Sequence, residues 1–339
     1  MTRSNRRSFG AVRGGMVEEV RKATEDWEWF AGRFGEIRSN IERVIQGKTE
    51  EIRLALVTLV AEGHLLIEDV PGVGKTMLAK AVARSFDCSF RRIQFTPDLL
   101  PTDITGVNVY NQERNDFEFK PGAIFANIVL GDEINRASPK TQSALLESME
   151  EHQVTVDAVS YQLGVPFMVV ATQNPIEHEG TYPLPEAQLD RFMMRLAIGY
   201  PSAEAEAEIL ATHGTASTLD DIGPVTDASG AARMIAVARE VFVAEALRRY
   251  IVDLAESTRK HPDVYLGASP RAAIMLLRAT RAMAASDGRD YAIPDDIKAL
   301  TIPVLAHRLI VSADAAMSGR DATTVLAEAL DEVPIPVKR

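Results

Sequence analysis

His64-Leu65-Leu66-Ile67-Glu68-Asp69-Val70-Pro71-Gly72-Val73-Gly74-Lys75-Thr76-Met77-Leu78-Ala79-Lys80-Ala81-Val82-Ala83 is the stretch on which the fold turns. A short apolar run, a glycine-rich turn and an alanine-rich helical segment follow one another, which predicts strand, loop and helix. Gly72 and Gly74 allow backbone N–H groups to converge on phosphate oxygens, with a helix N-terminus behind them. In that setting Lys75 reaches the β and γ phosphates of a nucleotide, and the Thr76 hydroxyl ligates Mg²⁺. The strict pattern G-x-x-x-x-G-K-[ST] is broken at its first position, which holds Asp69. A Pro-Gly-x-Gly turn also serves as plain punctuation between strand and helix, so the motif needs its surroundings.

Upstream, Ile37, Ile41, Val44 and Ile45, then Ile52, Leu54, Leu56, Leu59 and Val60, point to helices on either side of Gly47. Downstream, Phe90 to Phe95, Ile124 to Leu130 and Pro166 to Ala171 read as strands buried on both faces, and Met193 to Ile198 as a fifth strand. Helical patterns fall between them, notably Lys140 to Glu151. Strands alternating with helices imply an α/β domain with a mostly parallel sheet covered by helices. Two segments inside it read as hairpins. Val107 to Tyr110 and Phe117 to Phe119 flank a polar turn, and Gln153 to Val156 pairs with Ser160 to Leu163 around Asp157.

After Gly199-Tyr200-Pro201 the chain becomes Ala-, Glu- and Arg-rich without a convincing strand, which predicts a smaller all-helical domain over 201–339. One of its helices is clearly punctuated: Ser269 as N-cap, Pro270 at the first position, and Asp287-Gly288 as the stop. Residues 1–30, with Arg3, Arg6, Arg7 and Arg13, read as a disordered basic tail ahead of an α/β domain over 31–200. Asn5-Arg6-Arg7-Ser8-Phe9 looks superficially like an export signal, but no apolar stretch follows it.

Composition narrows the function. The chain has 339 residues, 46% hydrophobic and 25% charged, as in ordinary globular proteins. A formal net charge of −11 opposes sequence-blind binding to a polyanion. The single cysteine, Cys88, allows no internal disulfide or thiolate cluster and fits a cytoplasmic setting. No apolar run approaches the ~18 residues of a membrane span. The six histidines show no metal-site spacing; Glu177-His178-Glu179 is the one suggestive trio, and it reads as a solvated loop.

Further along, Phe125 to Leu130 leads into Gly131-Asp132-Glu133, two acids at the end of a buried strand. Carboxylates there sit where open α/β sheets bind ligands. Asp132 is suited to hold Mg²⁺ and Glu133 to polarise the attacking water, although a solvated acidic pair reads the same way in isolation. Asn174, before Pro175, offers an amide at the next strand's end to position that water; an Asn-Pro turn is the plain alternative. Arg191 ends a helical stretch and is placed to enter a neighbour's site if subunits form a ring, or else to pair with Asp190 or another surface acid. Arg271 stands in the first turn of the helix after Ser269, against the positive end of the dipole. A γ-phosphate reverses that penalty, and so does a salt bridge.

Together, Pro71 to Thr76, Leu130-Gly131-Asp132-Glu133-Ile134-Asn135-Arg136-Ala137, Ala171 to Pro175, Pro185 to Phe192 and Gly267-Ala268-Ser269-Pro270-Arg271 closely resemble the MoxR family of AAA+ ATPases. The resemblance covers about residues 34 to 335. It extends to Tyr182-Pro183-Leu184-Pro185-Glu186-Ala187-Gln188 and to Asp69, since Glu-Asp-x-Pro-Gly is common in this family. It implies a P-loop AAA+ domain followed by a helical lid, with ATP and Mg²⁺ as ligands. Lys75 and Thr76 correspond to Walker A, Asp132 and Glu133 to Walker B, Asn174 to sensor 1, Arg191 to the arginine finger and Arg271 to sensor 2. Val44-Ile45-Gln46-Gly47 matches where such proteins seat adenine, with Val73 and Met77 completing the nucleotide contacts. Arg136 is a further candidate for the subunit interface. The hairpins resemble insertions that face the ring pore in related ATPases. The same resemblance implies a homo-oligomeric ring, typically a hexamer, that remodels, assembles or activates protein partners, often ones with a von Willebrand factor A domain.

Three other readings remain at this level. A nucleic-acid motor of related architecture would present basic hairpins, whereas Arg114 and Lys120 are set here among Glu113, Asp116 and Glu118. A non-hydrolysing ATP switch would lack Glu133 or the finger. A metal-chelatase ATPase subunit differs by requiring a porphyrin-inserting partner.

Overall fold

The computed structural model describes residues 7–175, 180–204, 206–207 and 218–336, with residues 7–24 described by their backbone alone. Helix α1 (Arg7–Glu42) opens the chain and sets Phe30, Phe34, Ile37 and Ile41 on one buried stripe at helical spacing. This helix spans the segment from Arg7 that the sequence was read as leaving in a basic tail over 1–30; residues 1–6 lie outside the described residues. Arginines marked the segment as a tail, yet Phe30 is fully buried and Trp27 and Trp29 pack against the core. Arg233 also lies 3.9 Å over the Trp29 ring. Gly47, at φ 70°, turns the chain into α2 (Thr49–Val60).

The α/β unit then runs β1 (Leu65–Glu68), α3 (Lys75–Ser85), β2 (Phe90–Gln94), α4 (Pro101–Thr105), a hairpin of β3 (Gly106–Asn111) and β4 (Asp116–Pro121), and β5 (Ile128–Asp132). After it come α5 (Pro139–Glu151), a second hairpin of β6 (Gln153–Val156) and β7 (Val159–Gln162), β8 (Met168–Gln173), α6 (Glu186–Leu189) and β9 (Met194–Leu196). Five strands form one sheet in the order β2-β5-β8-β1-β9, every pair parallel. Side chains alternate between its faces. Leu65, Ile67, Ile128, Leu130 and Val170 meet α1, α2 and α3 on one face. Leu66, Val129, Val169 and Ala171 meet Leu145, Leu146 and Met149 of α5 on the other.

β2 was read as buried on both faces, but it is an edge strand. Arg91, Arg92 and Gln94 are exposed, and only Ile93 within it is buried. The third strand begins at Ile128, later than its apolar run, because Ile124 to Asn127 forms a turn against α4 and Ser89.

Both hairpins are present. The second turns at Asp157 (φ 49°) and Ala158 (φ 67°), two successive left-handed residues as a tight two-residue connection requires. Phe119 stacks on Tyr161 with ring centroids 4.0 Å apart, and Asn108 Nδ2 donates to Asp157 Oδ2 at 2.8 Å, so the hairpins lean on each other.

The C-terminal part comprises α7 (Ala228–Arg239), α8 (Glu245–Lys260), β10 (Val264–Leu266), α9 (Pro270–Ser286), α10 (Pro294–Leu305), β11 (Ile310–Val311), α11 (Ala313–Met317) and α12 (Ala322–Glu332). It is helical apart from the antiparallel ribbon β10–β11, whose strands of three and two residues are too short to leave a period in the sequence. Ser269 caps α9 by accepting from Ala272 N at 3.1 Å, and Gly288 follows the stop at φ 73°. The first core cluster continues into this part through Leu254, Leu276, Ile297 and Leu300. Among the described residues no helix is long and apolar enough to cross a membrane.

Candidate functional site

The glycine-rich loop leaves β1 and enters α3 with Gly72 at φ 87° and Gly74 at φ 94°. A Cβ at Gly72 would meet nothing within 4 Å, and at Gly74 only Ile45 Cδ1 at 3.8 Å. Glycine is needed for the left-handed backbone, and the space the loop surrounds is open to a ligand. No side chain caps α3 and no acid stands in its first turn, so its positive end is available to an anion. Lys75 Nζ donates to Asp69 O at 2.6 Å, which folds its ammonium over the loop.

Asp69, the departure from the strict motif, has a structural account. Its Oδ1 accepts from Val70 N at 2.8 Å and its Oδ2 from Gly199 N at 2.6 Å. It is buried and ties the loop to the segment that leaves the sheet after β9. Its φ is not left-handed, so glycine is not required there.

Across the opening, Asp132 ends β5. Thr172 Oγ1 donates to its Oδ1 at 2.6 Å, and Arg92 Nη2 lies 2.5 Å from Oδ2. Glu133 follows in the left-handed region, φ 58° and ψ 51°, a conformation costing a non-glycine residue ~1–2 kcal/mol. Such outliers collect at functional sites. The Glu133 N–H donates to Thr172 Oγ1 at 3.0 Å, so one hydroxyl braces both acidic residues. The Glu133 carboxylate accepts from Gln94 Nε2 at 2.8 Å and pairs with Arg136 Nε at 3.1 Å. Buried Asn174 stands just beyond β8.

These elements enclose a cleft of about 350 Å³, with Pro71, Gly72, Gly74, Lys75, Thr76 and Met77 on one wall and Asp132, Glu133 and Asn174 on the other. A second cavity of about 240 Å³ shares Gly72, Gly74 and Met77 and is closed by Val44, Ile45 and Val73. The polar cleft suits a polyphosphate and its apolar neighbour a flat ring. A hydroxyl on Thr76 and a carboxylate on Asp132, both lining the cleft, are the hard oxygen donors that Mg²⁺ prefers. Arg92, Gln94 and Thr172 escaped the sequence reading. Arg92 and Gln94 alternate at the carboxyl end of β2, one strand from the acidic pair, and that spacing is the only signal they leave.

Arg191 and Arg271 lie elsewhere. Helix α5 returns from the cleft toward the amino ends of the strands, where His64 Nε2 meets Met149 O at 3.0 Å. Eleven residues separate Pro139 from Glu150, roughly 16 Å of helix. At that far edge Arg191 Nε is 3.3 Å from Glu150 Oε2, and Arg271 Nη2 is 2.5 Å from Glu150 Oε1. The sequence reading offered Arg191 a neighbour's site, Asp190 or another surface acid, and Arg271 a γ-phosphate or a salt bridge; the acid that both arginines meet is Glu150, while Asp190 pairs with Arg308. Helix α9 presents Arg271 at the opposite end of α5 from Glu133.

A part-buried pair ties the lid there. Arg308 has a side chain only 1% exposed, and its Nε donates to Asp190 Oδ1 at 2.8 Å. Burial draws its pKa down to about 10, while Asp190 opposes that shift, so it remains protonated at neutral pH. Ser269 Oγ, the cap of α9, lies 3.3 Å from both oxygens of the same carboxylate. His307 Nε2 meets Phe192 O at 3.0 Å.

Residues 64–194 match the ATPase family associated with various cellular activities (AAA), and residues 256–329 match the AAA lid domain. The chain is 48% identical over 305 residues to the uncharacterized protein YeaC of Bacillus subtilis, covering 90% of this chain and 95% of that protein. It is 42% identical to Chaperone MoxR1 of Mycobacterium tuberculosis over 87% of this chain and 80% of that one. Protein MoxR of Paracoccus denitrificans is 32% identical, with 84% and 90% covered. A solved structure of a candidate ATPase from Cytophaga hutchinsonii is similar at a TM-score of 0.88 and 38% identity, covering 94% of this chain and 99% of that chain.

Proposed function

The chain belongs to the MoxR family of AAA+ ATPases, and on that premise we propose that it hydrolyses ATP in the loop-and-carboxylate cleft with arginines supplied by a second copy of itself. That it is an ATPase follows from its family. The adenine lies against Val44, Ile45, Val73 and Met77, and the phosphates lie on the backbone of Pro71 to Thr76 under Lys75. Thr76 and Asp132 would hold Mg²⁺, which when bound would neutralise phosphate charge and polarise the phosphoryl oxygens. Glu133 accepts the proton of the attacking water at its carboxylate, and Asn174 orients that water beside the terminal phosphate. Gln94 and Arg136 set the direction of the Glu133 carboxylate.

The observation that carries this reading is a division. Loop, acidic pair and Asn174 share one cleft, whereas Arg191 and Arg271 sit together some 16 Å along α5 at Glu150. In this arrangement both arginines are held away from their own cleft, with Asp190 and Arg308 tying the segments that carry them together. We read both as serving a neighbour's cleft in a homo-oligomeric ring, a hexamer in this proposal. In the best-studied nucleotide hydrolases a trans arginine is worth about 10³–10⁵ in kcat, roughly 4–7 kcal/mol of barrier. This large share of the catalysis is therefore conditional on assembly.

Within that frame the work done is chaperone-like: ATP turnover drives remodelling, assembly or activation of protein partners in the cytoplasm, among them proteins with von Willebrand factor A domains. The first hairpin offers Val107, Val109, Tyr110 and Phe117 as exposed apolar contacts for a polypeptide. The acidic balance of the chain argues against a stable nucleic-acid partner.

Mixing Arg191→Ala subunits with Lys75→Ala subunits tests the shared site. Each variant alone is expected to be inactive, and the mixture recovers part of the turnover because some interfaces join an intact loop to an intact finger. No recovery from folded, co-assembling variants would reject the shared site.

A further inference from the structure

Glu150 occupies the last turn of α5, where the negative end of the helix dipole disfavours another negative charge. Glu151 follows it, and the helix has no basic residue in its last turn. The compensation comes from far along the chain. Arg191, just after α6, reaches one oxygen of Glu150, and Arg271 in the lid reaches the other. Two positive charges thus share one negative charge. All three side chains are partly exposed, at 27%, 36% and 41% for Arg191, Arg271 and Glu150. The cluster faces solvent with a positive excess.

Glu150 is not needed to bring the two arginines together. Asp190 next to Arg191 accepts from Arg308 and lies beside Ser269, which caps the helix that carries Arg271. That part-buried tie holds the finger segment and the lid helix against each other. The Glu150 contact lies on the exposed side, where Arg191 Nε and Arg271 Nη2 each meet one of its oxygens.

We propose that Glu150 is an internal counter-ion that occupies Arg191 and Arg271 until the triphosphate of a neighbouring copy displaces it. The assignment rests on the shared-site reading above. A carboxylate offers one negative charge to two guanidinium groups, whereas a triphosphate offers several, so exchange favours the nucleotide-loaded neighbour. Exposed ion pairs of this kind shift an equilibrium by at most about fivefold each. The contact is weak enough to yield to an ATP-loaded interface and strong enough to disfavour an empty one. Glu150 thereby sets the threshold at which assembly becomes nucleotide-dependent.

The test uses Glu150→Gln, which keeps the shape and removes the charge. In the Glu133→Gln background with Mg–ATP, self-association followed by sedimentation velocity is expected to tighten by about three- to tenfold. In the otherwise native chain, turnover at subunit concentrations below full assembly rises by a similar factor. The gain shrinks as salt screens the exposed charges, and Glu150→Asp, which keeps the charge, reverses most of it. Association that is unchanged, weaker, or tightened equally without nucleotide overturns the assignment, since loss of a merely structural contact would not make assembly more ATP-dependent. Arg191→Ala separates the two levels. If it leaves turnover intact, the shared site itself fails. If it abolishes turnover while Glu150→Gln behaves like the native chain, only the counter-ion role fails.

Discussion

Replacing Glu133 with Gln isolates the chemical step from everything else the cleft does. The residue sits at φ 58°, and Gln tolerates that backbone no worse than Glu, so no new strain enters. The amide can still accept from Gln94. What is lost in the fold is the charge of the pair with Arg136, in which the side chains are 31% and 41% exposed; pairs of that exposure contribute ~0–1 kcal/mol. What is lost in catalysis is the proton acceptor for the attacking water, worth at least ~10² in rate, or ~2.7 kcal/mol of barrier. The second effect outweighs the first severalfold, so turnover falls at least ~100-fold while the unfolding midpoint stays nearly constant. Because Glu133 donates nothing to phosphate, ATP affinity is retained. Phosphate release at saturating Mg–ATP, paired with equilibrium titration of a fluorescent ATP analogue, reads both quantities. Turnover within about threefold of the native chain would remove Glu133 from the proposed role. Loss of ATP binding along with turnover would show instead that the residue helps to build the cleft.

Two further expectations bear on the architecture. Asp69→Gly restores the glycine of the strict loop pattern, yet it removes the acceptor for Val70 N and Gly199 N. It should lower stability by ~1–3 kcal/mol, the cost of leaving such donors unpaired, and denaturant unfolding of equal stability would contradict the account of Asp69. Buried His64 accepts from Val169 N through Nδ1 and meets Met149 O through Nε2, and burial lowers its pKa to about 4. It is neutral in the folded chain, while the unfolded chain binds a proton near pH 6.5, so stability is complete above that value and declines as pH falls toward 4. The shift corresponds to ~3 kcal/mol. Buried His307, lowered in the same direction by desolvation and by Arg308, adds to the decline. His64→Gln should flatten the pH dependence of chemical unfolding between pH 6.5 and 4.5, and an unchanged slope would count against this explanation.

The sequence by itself determined what short contiguous stretches encode. Gly72 and Gly74 dictate a left-handed loop, Lys75 and Thr76 open a helix behind it, and Asp132 and Glu133 end an apolar strand. Each of these follows from backbone freedom or periodicity that neighbours in sequence share. Hairpins and the Ser269 cap were legible for the same reason. The edge position of β2 was not, because Phe90 to Phe95 carries the apolar ends of a strand whichever neighbour it lacks. Nor was the burial of Phe30 at the edge of that segment, where the upstream arginines drew attention away from the aromatic residues. Only the tertiary structure decided that Arg191 and Arg271, 80 residues apart in the numbering, meet at Glu150, and that α5 holds them a helix length from the cleft. It alone paired Asp69 with Gly199 and Asp190 with Arg308. Such meetings depend on how a whole sheet and its helices pack, and a charged side chain leaves no trace in local sequence of the distant partner that packing brings to it.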